Sequence, residues 1–447
     1  MSDLFNKVTT ATQQSIIVKL VVIGVLALLL LIPTAMVSDL VNEREQTKQE
    51  AVNDICSKWG GSQTISGPVI SIPYIVTAKN PRTGEQTTNH NTVHLLPEEL
   101  KIDGESITET RYRGIYKAIL YNTQLSITGY FDLDSLHTLS NIQLEHLDFA
   151  NAVISMGISD MKGIRQKVQG NIGNEAINLG PGLPSKDIFQ SGIQSKSPLQ
   201  SINAPIPFSF ELNLNGSRQL NFLPMGKNTQ VALSSNWADP SFNGEFLPET
   251  RLITNDGFTS KWQVQDLNRS FPQVWIGTRC DIDKMKFGVS FYDQIDVYQQ
   301  SYRTIKYAIM FIIFTFAALF LSEIICGFSV HPIQYLFIGC GIVMFYALLI
   351  SFSEHIAFDI SYAVSSASVL LLISGYVKAL FKKVQYVMTI TGVLTGLYSF
   401  LYFLLQMSDY ALLSGTIGLF ALLGILMFLT RNINWYSAKI TPVKELN

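Results

Sequence analysis

The sequence predicts a multi-pass α-helical membrane protein with six transmembrane helices in a 1+5 arrangement and a large, mostly-β domain on one side of the bilayer. Three observations predict it. Apolar runs of membrane-spanning length lie at residues 16–37 and, five times over, between 307 and 429. The stretch between them is polar and alternates with a period of two, the mark of half-buried strands. Only 15% of the 447 residues are charged, against roughly 25% in soluble chains.

Residues 1–38 form a short tip and the first span. A crossing needs about 20 mostly apolar residues, and 16–37 supplies them. A cleaved signal peptide fits less well. The apolar core exceeds a signal h-region, and Ile32-Pro33-Thr34-Ala35-Met36-Val37-Ser38 has no clean small-x-small site. Lys19 is expected to snorkel to the headgroups. Beyond the span, residues 39–58 are charged and helix-friendly, with Leu40, Val41, Ala51, Val52 and Ile55 in helical spacing. They are predicted to carry the helix outward until Trp59-Gly60-Gly61 breaks it.

The exterior domain is expected over 39–302. Ile70, Ile72, Tyr74 and Val76 alternate with Ser71 and Pro73, and Leu125, Ile127, Gly129 and Phe131 with Ser126, Thr128 and Tyr130. Phe208, Phe210, Leu212 and Leu214 give the cleanest alternation, and Phe287, Val289 and Phe291 repeat it. Asp103-Gly104, Asn215-Gly216 and Asp256-Gly257 read as turns. The expectation is a sandwich or two packed sheets. Residues 170–200, rich in Gly, Pro, Ser and Asn, read as a long loop or a seam between subdomains. In the 236–248 loop, Trp237, Phe242 and Phe246 are candidates for a partner-binding edge. The commoner use of such large apolar side chains favours a long inter-strand turn whose Trp237 and Phe246 plug the core. Cys56 and Cys280 flank the domain and are candidates for a disulfide on an oxidising side.

The bundle is expected over 303–430, with spans at 307–328, 333–352, 360–380, 384–406 and 410–429, and a tail at 431–447. Lys7, Lys382, Lys383, Arg431, Lys439 and Lys444 all fall on one side of six crossings. The opposite loops carry Glu354, Asp359 and Asp409 without Lys or Arg. The positive-inside rule then puts both termini in the cytoplasm and the large domain outside. Gly392 and Gly396 form a GxxxG, and Ser361, Ser365 and Ser368 a small-residue face, suited to close helix packing.

Ionisable groups inside a bilayer are costly and mark candidate sites. Glu323 lies roughly 7 Å deep at 1.5 Å per residue. Glu323, His331, Arg431 and Asn434 are expected to gather at the inner face, and Glu354, His355 and Asp409 at the outer. The two groups lie on opposite sides of a hydrocarbon core about 30 Å thick, so they do not form one catalytic centre. A Glu323–Arg431 ion pair that locks the bundle competes with proton or substrate handling at the inner group.

The sequence holds no HExxH, P-loop, dinucleotide-binding glycine pattern or GxSxG. The histidines are scattered; His90 and His94 on a strand would sit about 13 Å apart, too far to share an ion. No cofactor or metal is therefore expected. A net charge of −2 argues against nucleic acid as a partner.

Several separated motifs carry a resemblance. They include Leu-Leu-Leu-Ile-Pro at 29–33, Ser66-Gly67-Pro68-Val69-Ile70-Ser71-Ile72-Pro73 and Gly114-Ile115-Tyr116. The 235–248 loop, Lys306-Tyr307-Ala308-Ile309, His331-Pro332-Ile333-Gln334-Tyr335-Leu336, Ser353-Glu354-His355 and the 429–436 stretch continue it in order. Nearly end to end, the chain resembles the CreD family of bacterial inner-membrane, cell envelope integrity proteins. The resemblance implies a Gram-negative inner membrane, a periplasmic domain, and an association with envelope integrity and a two-component response to cell-wall stress. It implies no catalytic residues.

The leading expectation is a non-enzymatic envelope protein whose partners are the lipid bilayer and a periplasmic protein or cell-wall component. The alternatives are a lipid or small-molecule transporter working through Glu323, and a membrane enzyme using Glu354, His355 and Asp409 at the outer interface.

Overall fold

The computed structural model describes residues 16–79, 86–138, 144–199, 204–277, 282–291, 297–326, 330–380, 384–407 and 410–431. The chain divides into two compact units. A helical unit takes the residues up to Lys48 together with those from Ile295 on, and a β unit takes Gln49–Gln294.

The helical unit begins with α1 (Ile16–Leu29), which passes into α2 (Leu31–Trp59). The irregularity at Leu30 has a local cause: Pro33 has no N–H to donate to the carbonyl four residues back, at Leu29. The unit continues with α3 (Val297–Lys306), α4 (Ala308–Cys326), α5 (Pro332–Ser353), α6 (Phe358–Leu380), α7 (Val384–Gln406) and α8 (Ala411–Thr430). Four described helices are long and apolar enough to cross a membrane: Ile17–Trp59, Pro332–Ser353, Phe358–Leu380 and Val387–Gln406. A fifth results if Val297–Lys306 and Ala308–Ile324, bent by 42°, form one span; Leu413–Phe428 within α8 is a shorter apolar helix. Many large apolar side chains point outward, among them Leu28, Leu371, Met388 and Phe420. An apolar surface of that extent needs hydrocarbon or a partner against it.

The GxxxG does not mark the close helix crossing. A Cβ added at Gly392 or Gly396 would meet nothing within 4 Å. At Gly339 of α5 it would run into the Leu30 side chain at 2.1 Å and the Phe316 ring at 3.0 Å. The tight approach is thus of the first helix and α4 onto α5. Ser361 and Ser365 are buried, whereas Ser368 is exposed.

The β unit opens with the last turns of α2. Val52, Ile55, Cys56 and Trp59 pack on Ala118 and Leu120, and Gly60 ends the helix by donating its N–H to the Cys56 carbonyl at 2.9 Å. Sixteen strands follow. The first half of the ladder is β12 (Ser241–Gly244), β16 (Phe287–Ser290), β10 (Gln219–Phe222), β1 (Gln63–Lys79), β5 (Val153–Ile158) and β8 (Gly192–Lys196), in that spatial order. β2 (Gln86–Leu95) also pairs with β1, and β15 (Val274–Ile276) with β2. From β8 the order runs on through β7 (Glu175–Pro181), β6 (Val168–Ile172), β9 (Ile206–Ser217), β4 (Tyr116–Phe131), β3 (Glu99–Arg113), β11 (Asn228–Ser235), β14 (Gly257–Gln265) and β13 (Thr250–Thr254). One apolar core holds side chains from both halves. Trp262 lies against Phe287, and Tyr121 and Phe258 against Phe291. The halves therefore face each other as two packed layers.

Three readings of this region change. Residues 170–200 carry β6, β7 and β8 and continue the ladder, with the same core on either side. Asp103-Gly104 and Asn215-Gly216 lie inside β3 and β9, and of the three dipeptides only Asp256-Gly257 makes a turn. The two strand glycines serve close approach instead. A Cβ at Gly104 would meet Leu125 at 2.7 Å, and one at Gly216 would meet the Tyr121 side chain at 2.3 Å.

Candidate functional site

The most enclosed charged groups of the helical unit meet where α1 and α4 come together. Glu323, near the end of α4, is fully buried, and Lys19, near the start of α1, is 2% exposed. Their side chains form an ion pair. The Val330 N–H donates to Glu323 Oε1 at 3.0 Å, and the Tyr335 hydroxyl to Oε2 at 3.0 Å. The Tyr335 ring stands edge-on to Phe316 with centroids 5.4 Å apart. A buried carboxylate with a cation and two hydrogen-bond donors is well compensated. This arrangement ties the first helix to the rest of the bundle.

The expected inner group is therefore rearranged. Lys19 does not reach outward to the headgroups but turns inward to the carboxylate, because Glu323 would otherwise be left buried without a cation. Arg431 is exposed at the end of α8, its guanidinium 4.0 Å from the Phe428 ring centroid. His331 caps α5: its Nδ1 accepts from the Ile333 N–H at 3.3 Å, and its own N–H donates to Gln334 Oε1 at 2.9 Å. Asn434 lies outside the described residues.

At the far end of α5 a second polar group forms around Glu354, whose side chain is 10% exposed. It accepts from the Tyr298 hydroxyl at 3.1 Å and lies 3.8 Å from Arg44 Nε, while Lys48 sits 5.4 Å above the Tyr298 ring. His355 is exposed, and Asp409 lies outside the described residues. Asp359 instead accepts from Gln406 Nε2 at 2.9 Å. As with Lys19, the basic partner comes from the first helix. The signal was present: Lys19 is itself an ionisable group within an apolar run, at the same end as Glu323 by crossing count.

The β unit contains a buried polar row that sequence spacing did not disclose. Ser71 of β1, His94 of β2 and Trp275 of β15 stand side by side in the ladder. The Ser71 hydroxyl lies 3.0 Å from His94 Nδ1, and Asp187 Oδ2 lies 3.4 Å from His94 Nε2. Trp275 packs on the imidazole at 5.6 Å. Burial holds the His94 pKa below 6.5, partly opposed by Asp187. A serine, histidine and aspartate in line suggest a nucleophile relay, but Ser71 is 2% exposed and lies within the sheet. The row ties the loop between β7 and β8 to the strands beneath it. Phe189 of that loop covers Gly157, where a Cβ would meet its ring at 2.6 Å.

The candidate aromatic edge is engaged with the core. Phe242 meets Phe258 and Trp262 edge-on, Phe246 meets Phe287 at 5.8 Å, and Trp237 packs against the same cluster. The Trp237 indole N–H donates to the Asp239 carbonyl at 2.8 Å. Cys56 is buried with a free thiol, and Cys280 lies outside the described residues.

Two comparisons bear on this architecture. A family model described as "Inner membrane protein CreD" matches residues 15–436. "Inner membrane protein CreD" of Escherichia coli (strain K12) is 31% identical over 437 residues, covering 93% of each chain.

Proposed function

Because the chain belongs to the CreD family of inner membrane proteins, we propose that it supports cell envelope integrity from the inner membrane without catalysing a reaction. In this reading six spans hold it in the bilayer, α3 with α4 making the second and α8 the sixth. Both termini face the cytoplasm, and the β unit stands in the periplasm, where it binds an envelope component or a partner protein.

The observation that carries the reading is the open face of the β unit. Along β14 buried and exposed residues alternate, and β3 shows the same pattern over much of its length. One face of this layer is thus committed to the core and the other left to solvent. On that face a shallow groove of about 460 Å³ runs across the strands. Asp103, Glu105 and Glu211 line it with Lys261 and Gln124. A polar, mostly acidic groove on a rigid sheet suits a polar or cationic envelope ligand or protein segment. The satisfied bonding of Glu323 favours a structural role for that carboxylate over transport.

The test is rescue of a deletion strain under envelope stress. The double variant Asp103→Lys, Glu211→Lys should fail to rescue while reaching the membrane in normal amount. Full rescue by that variant would remove the groove from the function. An alkaline phosphatase fusion near residue 200 should be active; an inactive fusion would place the domain in the cytoplasm and end the periplasmic reading.

A further inference from the structure

A second cavity lies wholly within the helical unit. It has a volume of about 340 Å³ and is bounded by Ile23, Gly24 and Ala27 of α1, Phe316 and Phe320 of α4, and Leu426 of α8. Apart from Thr430, its described lining is apolar. From Leu20 to Ala27 it follows α1 for about 10 Å at ~1.5 Å per residue.

Three features distinguish this groove from ordinary roughness between helices. First, Gly24 is exposed, and a Cβ there would meet nothing within 4 Å. Glycine in a spanning helix usually lets another backbone come close, yet here it leaves open space. Second, α8 contributes only one edge, and most of its large apolar side chains, including Ile417, Phe420, Leu423 and Phe428, face outward. The cleft therefore opens sideways into the surroundings of the bundle. Third, a cation follows its polar end in the chain. Thr430 closes the groove where α8 ends, and Arg431 follows directly with an exposed guanidinium. Lys19 at the same end is committed to Glu323, whereas Arg431 is exposed, with its guanidinium over the Phe428 ring.

The geometry points to a binding site for one phospholipid, with an acyl chain lying along Gly24 between α1, α4 and α8 and its phosphate beside Arg431. The lining matches a hydrocarbon chain, and the guanidinium at its end matches a phosphate, which arginine binds through paired N–H donors. Basic pockets between spanning helices bind anionic headgroups in the same manner. This inference rests on the proposed topology only for the choice of the cytoplasmic leaflet. A failed reporter fusion would reassign the leaflet and leave the bound lipid in place.

The experiment uses the full chain in a mild detergent, washed extensively and analysed by native mass spectrometry with added phosphatidylglycerol or with diacylglycerol of the same chains. The wild type should retain one phosphatidylglycerol per chain. Gly24→Leu fills the groove without a backbone clash and should lower retention at least tenfold. Arg431→Gln should weaken phosphatidylglycerol about fivefold and leave diacylglycerol unchanged. Ile313→Trp, at an exposed lining position, is the second groove-filling variant should Gly24→Leu not fold. Wild-type retention by a folded groove-filling variant would show boundary lipid only and overturn the site. Equal retention of diacylglycerol and phosphatidylglycerol by the wild type would overturn the role of Arg431.

Discussion

Removing Lys19 should damage the helical unit far more than removing Lys19 and Glu323 together. The reasoning starts from burial. Glu323 is fully enclosed and Lys19 is 2% exposed, so Lys19→Ala leaves a carboxylate inside the bundle with, among the described residues, the Tyr335 hydroxyl and the Val330 N–H as its donors. Stranding one member of a buried pair costs about 3–5 kcal/mol. For a unit of this size that is a fall in the unfolding midpoint on the order of 10 °C. Replacing both partners with apolar residues of similar volume, Lys19→Met with Glu323→Leu, removes the charge problem along with the attraction and should cost no more than about 1–2 kcal/mol. In the cycle built from Lys19→Met, Glu323→Leu and their double variant, each single change strands one buried charge at about 3–5 kcal/mol, so the coupling energy should be about 4–9 kcal/mol. Thermal unfolding of the four proteins in one detergent, followed by the helical circular dichroism signal, measures it. Equal losses in Lys19→Ala and the double variant would refute the argument. So would a coupling of Glu323 to Arg431 in place of Lys19, since the structure holds those two apart.

Two further predictions concern the β unit. Burial lowers the His94 pKa from 6.5, so below that value the unfolded chain binds a proton that the folded chain resists. The stability His94 contributes is therefore complete above about pH 7 and is lost as pH falls through 6.5 toward the lowered folded value. His94→Gln should flatten that slope in thermal melts of the full chain between pH 5 and 8; an unchanged slope would exclude His94 as its source. Gly216→Ala should destabilise the β unit by about 1–3 kcal/mol through overpacking, because the new methyl falls 2.3 Å from the Tyr121 hydroxyl. That hydroxyl donates to the Gln219 carbonyl at 2.6 Å, so Tyr121→Phe combined with Gly216→Ala should recover little. Recovery to wild-type stability would show that the hydroxyl alone is the point of conflict.

What the sequence disclosed follows from which interactions are periodic. The apolar runs and the alternation in β4 and β9 repeat along the chain, so they are visible without a partner. β1 was harder to read, because it lies between β2 or β10 on one side and β5 on the other and is buried on both faces. Its Ser71 looked like a solvent position and is in fact bonded to His94. Glycines misled for a related reason. Gly104 and Gly216 were read as bends, but what selects them is a leucine and a tyrosine from neighbouring strands, more distant in sequence than any turn signal reaches. The same holds for the GxxxG, whose spacing is local, and for Gly339, whose reason is Leu30 some three hundred residues away. Among the charged groups, Glu323 was singled out by its depth, and its partner was missed because Lys19 was assigned to the headgroups by position alone.

The two polar groups of the bundle also measure it. Lys19 engages Glu323, and Arg44, 25 positions further along the first helix, approaches Glu354. At ~1.5 Å per residue those contacts are about 37 Å apart along the helix. The hydrocarbon core is about 30 Å thick and the whole bilayer about 40–45 Å. The separation of the two contacts lies between those two thicknesses. On the second side, α5 covers about 35 Å from its His331 cap to its Glu354 cap at ~1.5 Å per residue. The first helix is consequently fixed in axial register at two points. Sliding it by one turn, about 5.4 Å, would separate both pairs at once, leaving Glu323 buried without its cation. Apolar packing adds a third point of register between them, where Leu30 sits against Gly339. The charges in this bundle therefore specify how the first helix seats against α4 and α5.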